Sequence, residues 1–160
     1  AFAVDSQLVA GVRARNAQHT VAAGAAPVPA GRTELTQELT FEVSEPKIDF
    51  DRGALEVTVR VVNPTGRPVR GPIDIVVDRL TSESDKAMGL ENFKTANADN
   101  GKDGEGAAWT FAVGPAGVLA PNGKTPPRVL RFSFTGGVPQ QPIGYFVPLF
   151  RIFGREGGAR

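Results

Sequence analysis

The chain has 160 residues, of which 19 are Gly and 13 Pro, one residue in five. It has no Cys and one His, which excludes a thiol nucleophile, a disulfide, a Cys-ligated zinc and any site needing two histidines from one copy. A formal charge of +1 gives no bulk attraction to nucleic acid, and 41% hydrophobic content with ten Phe excludes a low-complexity disordered chain.

The charge is unevenly placed. Residues 1–32 carry three Arg against one Asp, residues 33–127 ten bases against fifteen acids, and residues 128–160 five Arg against one Glu. Basic ends around an acidic middle serve as ordinary solvated faces, or attract an acidic partner or a neighbouring copy. No apolar run approaches the roughly 18 residues of a membrane helix. A start at Ala1 fits removal of a signal peptide, or trimming. The expected location is extracytoplasmic: periplasmic, cell-surface or secreted.

Residues 1–32 read as an N-terminal arm ending in a Pro/Ala/Gly linker, Ala22 to Gly31. In the arm, Val4, Leu8 and Val12 fall at helical spacing, while Leu8, Ala10, Val12 and Ala14 alternate as a strand does. Helix, strand and disorder all stay open for it. Residues 33–160 read as one domain. Leu39, Phe41 and Val43 alternate with polar neighbours, as do Ile48 and Phe50. After the turn at Asp51-Arg52-Gly53, Leu55, Val57, Val59 and Val61 line one face of the clearest half-buried strand, which stops at Asn63-Pro64-Thr65-Gly66. Ile73, Ile75 and Val77 continue the pattern with Asp74 and Asp78 outward. A polar stretch from Thr81 to Gly106 follows, with a short helical turn expected over Asp85 to Phe93. Trp109, Phe111 and Val113, then Leu130, Phe132 and Phe134, alternate again. The last run, Phe146 to Phe153, is apolar on both faces, and Pro148 within it marks an edge or a bulge. About seven short strands with turns between them predict an all-β fold, an antiparallel β-sandwich; a closed barrel is the competing architecture.

The succession of an apolar strand, Asn63-Pro64-Thr65-Gly66, Pro68, Gly71-Pro72-Ile73 and a second apolar strand carries a resemblance. So do Trp109-Thr110-Phe111, Val118 to Lys124, and Arg128 to Phe134. Over about residues 40–153 the chain resembles the immunoglobulin-like modules of large secreted and surface proteins of bacteria. Where that family has a Leu-x-Pro-Gly turn, this chain has Asn122 between Pro121 and Gly123. The resemblance implies a spacer, docking or assembly role. It brings no catalytic residues.

Few residues suggest chemistry of their own. His19 has no Gly-x-Ser-x-Gly elbow to serve, and the carboxylate pairs Asp49/Asp51 and Asp74/Asp78 occupy outward strand positions. Asp99, Asn100, Asp103 and Glu105 offer oxygens for calcium, but Lys102 adds positive charge and Thr110 stands where an EF-hand places its Glu. The plainer reading is a turn built on Asn-Gly and Asp-Gly. Trp109 and Phe111 share a strand face and read as core before they read as a sugar platform.

A non-catalytic, cofactor-free structural or accessory subunit of a larger extracytoplasmic assembly is therefore expected. Its partners are a different protein or sister subunits of a complex or filament. Nucleic acid is not among them; a membrane-bound complex is compatible. The candidate partner-binding residues are Phe2, Val4, Leu8, Val9 and Val12 of the arm, and Phe146, Phe150 and Phe153 of the last apolar run. An apolar arm can pair with a partner's sheet edge or fold back on its own domain. The alternative function is a polysaccharide- or calcium-binding module.

Overall fold

The computed structural model describes residues 11–16, 28–49, 52–82, 93–114, 116–134 and 145–155. Among them there are strands and no helix. The arm contributes β1 (Gly11–Val12) and β2 (Arg15–Asn16), and the residues after the linker form β3 (Arg32–Glu34). Next come β4 (Thr40–Val43), β5 (Lys47–Asp49), β6 (Ala54–Val62), β7 (Val69–Arg70) and β8 (Ile73–Ser82). The series ends with β9 (Phe93–Thr95), β10 (Ala108–Phe111), β11 (Val118–Leu119), β12 (Arg128–Phe134) and β13 (Tyr145–Arg155). Of the helical turn expected over Asp85 to Phe93, only Phe93 is described, and it opens β9.

Three sheets result. In the first, β8 lies between β10 and β13, and β1, β2 and β3 line the far side of β13. In the second, β4 and β5 share one side of β6, followed by β12 and β9. The third is the small pair β7 and β11. Every pairing is antiparallel except those of β1 and β2, which run parallel to β13.

Period-two alternation explains how the two large sheets meet. In β6, Leu55, Val57, Val59 and Val61 are buried and the residues between them are half-buried. Trp109 and Phe111 of β10, Ile73, Ile75 and Val77 of β8, and Leu130 and Phe132 of β12 join the same core. Rings then bridge the sheets. Phe132 meets Phe146 edge-on at 5.1 Å, Phe41 meets Phe150 at 5.4 Å, and Trp109 meets Phe132 at 6.0 Å. Tilted contacts of this kind add about 0.5–1.5 kcal/mol each beyond the area they bury. The architecture is all-β and sandwich-like, with one face of each large sheet turned to the shared core.

Two turns show why particular residues stand where they do. Asn63, fully buried, donates through Nδ2 to the carbonyls of Arg67, Leu119 and Ala120, and its Oδ1 accepts from Thr65 N–H at 3.0 Å. It thereby ties the end of β6 to the loop after β11. Asn122, between Pro121 and Gly123, has φ 61° and donates its N–H to Asn63 O at 2.7 Å. Asn tolerates that left-handed conformation better than most side chains.

A bulge sits in the middle of the first sheet. Arg79 pairs with Leu149 and Val77 with Phe150, which leaves Asp78 as the extra residue of β8. The shift reverses the alternation. Arg79, which would otherwise follow Val77 into the core, is exposed, and Leu80 packs against the core instead.

Candidate interaction surface

The first sheet has two very different edges, and β13 decides one of them. Even-numbered residues of β13 direct their backbone groups towards the arm and the β3 segment: Phe146 O accepts from Arg13 N–H at 3.0 Å, and Ile152 O accepts from Leu35 N–H at 2.7 Å. Pro148 is on that same side and has no N–H to offer. The arm answers with a gap. β1 and β2 keep a single register against β13, Gly11 to Tyr145 and Asn16 to Phe150, and the ladder is interrupted at Arg13 and Ala14, opposite Val147 and Pro148. The proline therefore coincides with both the break in the arm and the neighbouring bulge.

The arm is held by side chains as well. Val12 is 8% exposed and belongs to the core cluster. Asn16 donates through Nδ2 to Thr36 O and to Leu39 O, the latter at 2.6 Å, which ties β2 to the turn that leads into β4. Arg13 and Arg15, on the alternate positions, are exposed. The alternation in the arm is thus that of an edge strand, Val12, Ala14 and Asn16 inward and the two arginines outward.

Next along the same edge, β3 is fastened by charge. Arg151 donates from Nε and Nη2 to the two carboxylate oxygens of Glu34 at 2.9 and 2.8 Å, with side chains only 6% and 13% exposed. Thr36 Oγ1 donates to Glu34 at 2.7 Å and accepts from Ile152 N–H at 3.0 Å. The Glu34 carboxylate raises the pKa of the Arg151 guanidinium. Arg151 also lies over the Phe153 ring at 5.0 Å. Beside this pair, Asp74 of β8 accepts from Arg32 at 2.9 Å, Arg155 at 2.8 Å and Thr110 Oγ1 at 2.7 Å. Burial pushes the Asp74 carboxyl up, but hydrogen bonds from Arg155, Thr110 and Arg32 outweigh it and hold the group below its ordinary range. The residue read as outward in the sequence is thus the centre of an ion cluster.

The opposite edge, β10, is sealed. Asp99 N–H donates to Ala108 O at 2.8 Å, and Asn100 Oδ1 accepts from Ala108 N–H at 3.2 Å. Asp99 Oδ2 accepts from Thr110 N–H at 2.7 Å, and Arg128 donates to Thr110 O at 3.0 Å. Arg128 in turn holds Asp99 below its ordinary pKa through a direct ion pair. Each outward backbone group of Ala108 and Thr110 has a partner, so no strand can add there without displacing one.

These placements bear on the expected site residues. Phe2, Val4, Leu8 and Val9 lie outside the described residues, as does His19. Val12 rests on β13 of its own chain. Phe146 and Phe150 are 0% exposed, and Phe153 is 2% exposed on the other face of the sheet, so all three rings are covered. The loop considered for calcium uses Asp99 and Asn100 to close β10, and Asp103 sits 3.9 Å from Lys94. Among the described residues no three His, Cys, Asp or Glu side chains gather to hold a metal. Trp109 and Phe111 are in the core, away from any sugar. One open groove beside β5 does collect two carboxylates, but Asp49 pairs with Arg52 at 3.7 Å and Glu56 with Arg131 at 2.6 Å. Among the described residues no helix is long and apolar enough to cross a membrane.

The residues that organise the surface, Asn16, Glu34, Asp74 and Arg151, were not among those expected. One signal was available: a charged Arg151 inside a run apolar on both faces requires a buried partner. Comparison with protein-family models, curated proteins and solved structures finds no match to this chain.

Proposed function

We propose that this chain is an immunoglobulin-like β-sandwich that works as a non-catalytic binding module, an accessory or structural subunit of an extracytoplasmic assembly. The observation that carries the reading is the inequality of the two edges of the first sheet. β10 is closed by Asp99, Asn100 and Arg128, whereas the part of β13 from Tyr145 to Phe150 is covered on its far side by β1 and β2, two residues each. A strand held by so few backbone bonds is the part of a sheet most readily exchanged for another. Face-to-face packing of two mainly antiparallel sheets supports the immunoglobulin-like part of the reading. Exposed Arg13 and Arg15 on the arm suit an acidic partner surface.

The test is capture from the native source with the full chain and with residues 1–16 deleted, read by mass spectrometry. Emission from Trp109, the single Trp, reports whether each variant retains its core. The reading expects a partner retained by the full chain and lost on deletion. Equal retention by both removes the arm edge from the mechanism.

A further inference from the structure

The arm and its receiving edge suggest what the partner is. We propose that the side of β13 covered by β1 and β2 accepts residues 11–16 of a second copy of this chain, so that copies exchange arms. This rests on the reading of that edge as the binding site and adds the identity of the occupant.

The fit between occupant and site is already on display within one chain. Val12 enters the core, Asn16 reaches the carbonyls of Thr36 and Leu39, and Gly11 to Asn16 keep one register with Tyr145 to Phe150. The arm of another copy brings the same side chains and makes the same bonds. Exchange therefore needs no new contact, and its equilibrium is set by effective concentration. Parallel pairing and the gap opposite Pro148 keep the number of bonds to be broken small.

Geometry makes the connection the controlling element. β2 ends level with Phe150 and runs parallel to β13, while β3 begins level with Arg155 and runs antiparallel on the same edge. Five residues of β13 separate those levels, about 17 Å at the usual strand rise. Residues 17–31 join them, 15 residues that reach about 50 Å when extended. The closed form is thus within reach of the present connection. With residues 17–27 removed, Asn16 is bonded to Val28 and leads at once into the turn in which Arg32 N–H donates to Pro29 O. Two peptide bonds from Asn16 to Pro29 add about 7 Å and the turn from Pro29 to Arg32 spans less than about 7 Å, together short of about 17 Å, so that arm can be seated only on a neighbour. Charge favours the approach: the arm is basic, and the central residues 33–127 carry fifteen acids against ten bases.

The absence of Cys makes a direct test available. Arg15 and Leu149 are Cα partners across the parallel ladder, at a spacing a disulfide bridges. A full-length chain with Arg15→Cys and one tag is mixed with a full-length chain carrying Leu149→Cys and another tag. Oxidation then traps even a minor exchanged population. A disulfide joining the two tags, lost when the first chain also carries Val12→Asp, is the expected result. The double variant Arg15→Cys/Leu149→Cys shows that the geometry closes. If it closes within one chain and the mixture gives no inter-chain bond, the proposal is overturned. If it does not close, the variant lacking residues 17–27 decides: a folded species of two or more chains in light scattering supports exchange, and a folded monomer overturns it. Should copies fail to exchange while capture of another protein still requires residues 1–16, only the identity of the occupant falls. Loss of both removes the arm edge as a binding site.

Discussion

Arg128 grips Asp99 through both terminal guanidinium nitrogens, Nη1 and Nη2, at 2.5 and 2.9 Å, and the pair closes the free edge of β10. The same carboxylate accepts from Thr110 N–H, and the same guanidinium donates to Thr110 O. A single ion pair therefore satisfies the outward backbone of an edge residue. Asp99→Ala removes the acceptor and releases Arg128. The expected cost is about 1 kcal/mol, because the pair is partly exposed. The more telling effect is on association, since an open edge pairs with other chains. Light scattering during incubation at raised concentration is expected to show faster self-association than in the parent chain.

The Glu34–Arg151 pair is less exposed, and removing one member leaves the other charge without its partner. Arg151→Ala is expected to destabilise the fold by about 3 kcal/mol in denaturant titration followed by Trp109 emission. Replacing both members with apolar residues of similar volume is expected to recover much of that loss. Because Glu34 belongs to β3, the single substitution also loosens the strand from which the linker departs.

Asp74 links folding to pH. Its folded-state carboxyl is held below the ordinary value, so it adds stability above the unfolded pKa of about 3.9. That contribution is lost as pH falls through the lowered folded value. Asp74→Asn is expected to lower stability at pH 7 and to flatten its fall in acid. Thermal unfolding of both proteins between about pH 2 and pH 7 measures this. An unchanged acid slope would remove Asp74 from the pH dependence.

Asn63 serves three carbonyls from different parts of the chain. Asn63→Ala removes all three contacts at once, although Arg67 O keeps its bond from Thr65 Oγ1 and Ala120 O its bond from Gly123 N–H. A loss of at least about 2 kcal/mol is expected in denaturant unfolding. Asn63→Asp fails similarly, since a carboxylate cannot donate to those oxygens.

Much of the core was legible in the sequence, and the surface was not. Leu55, Val57, Val59 and Val61 declare a strand through local alternation alone, and Trp109, Phe111 and Phe132 follow the same rule into the core. Asp74 also obeys it, lying on the face away from the core, but what meets it there comes from β3 and β13. Such partners, dozens of residues away in the chain, leave no local pattern. The Asp78 bulge is likewise a property of the pairing with β13, not of the strand. Nothing local marks Asn16, because its acceptors are carbonyls of a turn 20 and 23 residues on. Pro148 was read as an edge or bulge signal, and it stands beside a bulge and opposite the break in the arm.

Arm exchange requires that the arm edge opens while the rest of the sheet holds. Native-state hydrogen exchange on the full chain measures it most directly, through the Arg13 amide, bonded to Phe146 O, and the Val77 amide, bonded to Ala107 O. Arg13 is expected to exchange through a local opening well below the free energy of global unfolding, with little dependence on denaturant, while Val77 exchanges only with global unfolding. Equal opening free energies for the two amides, both tracking global unfolding, would contradict it.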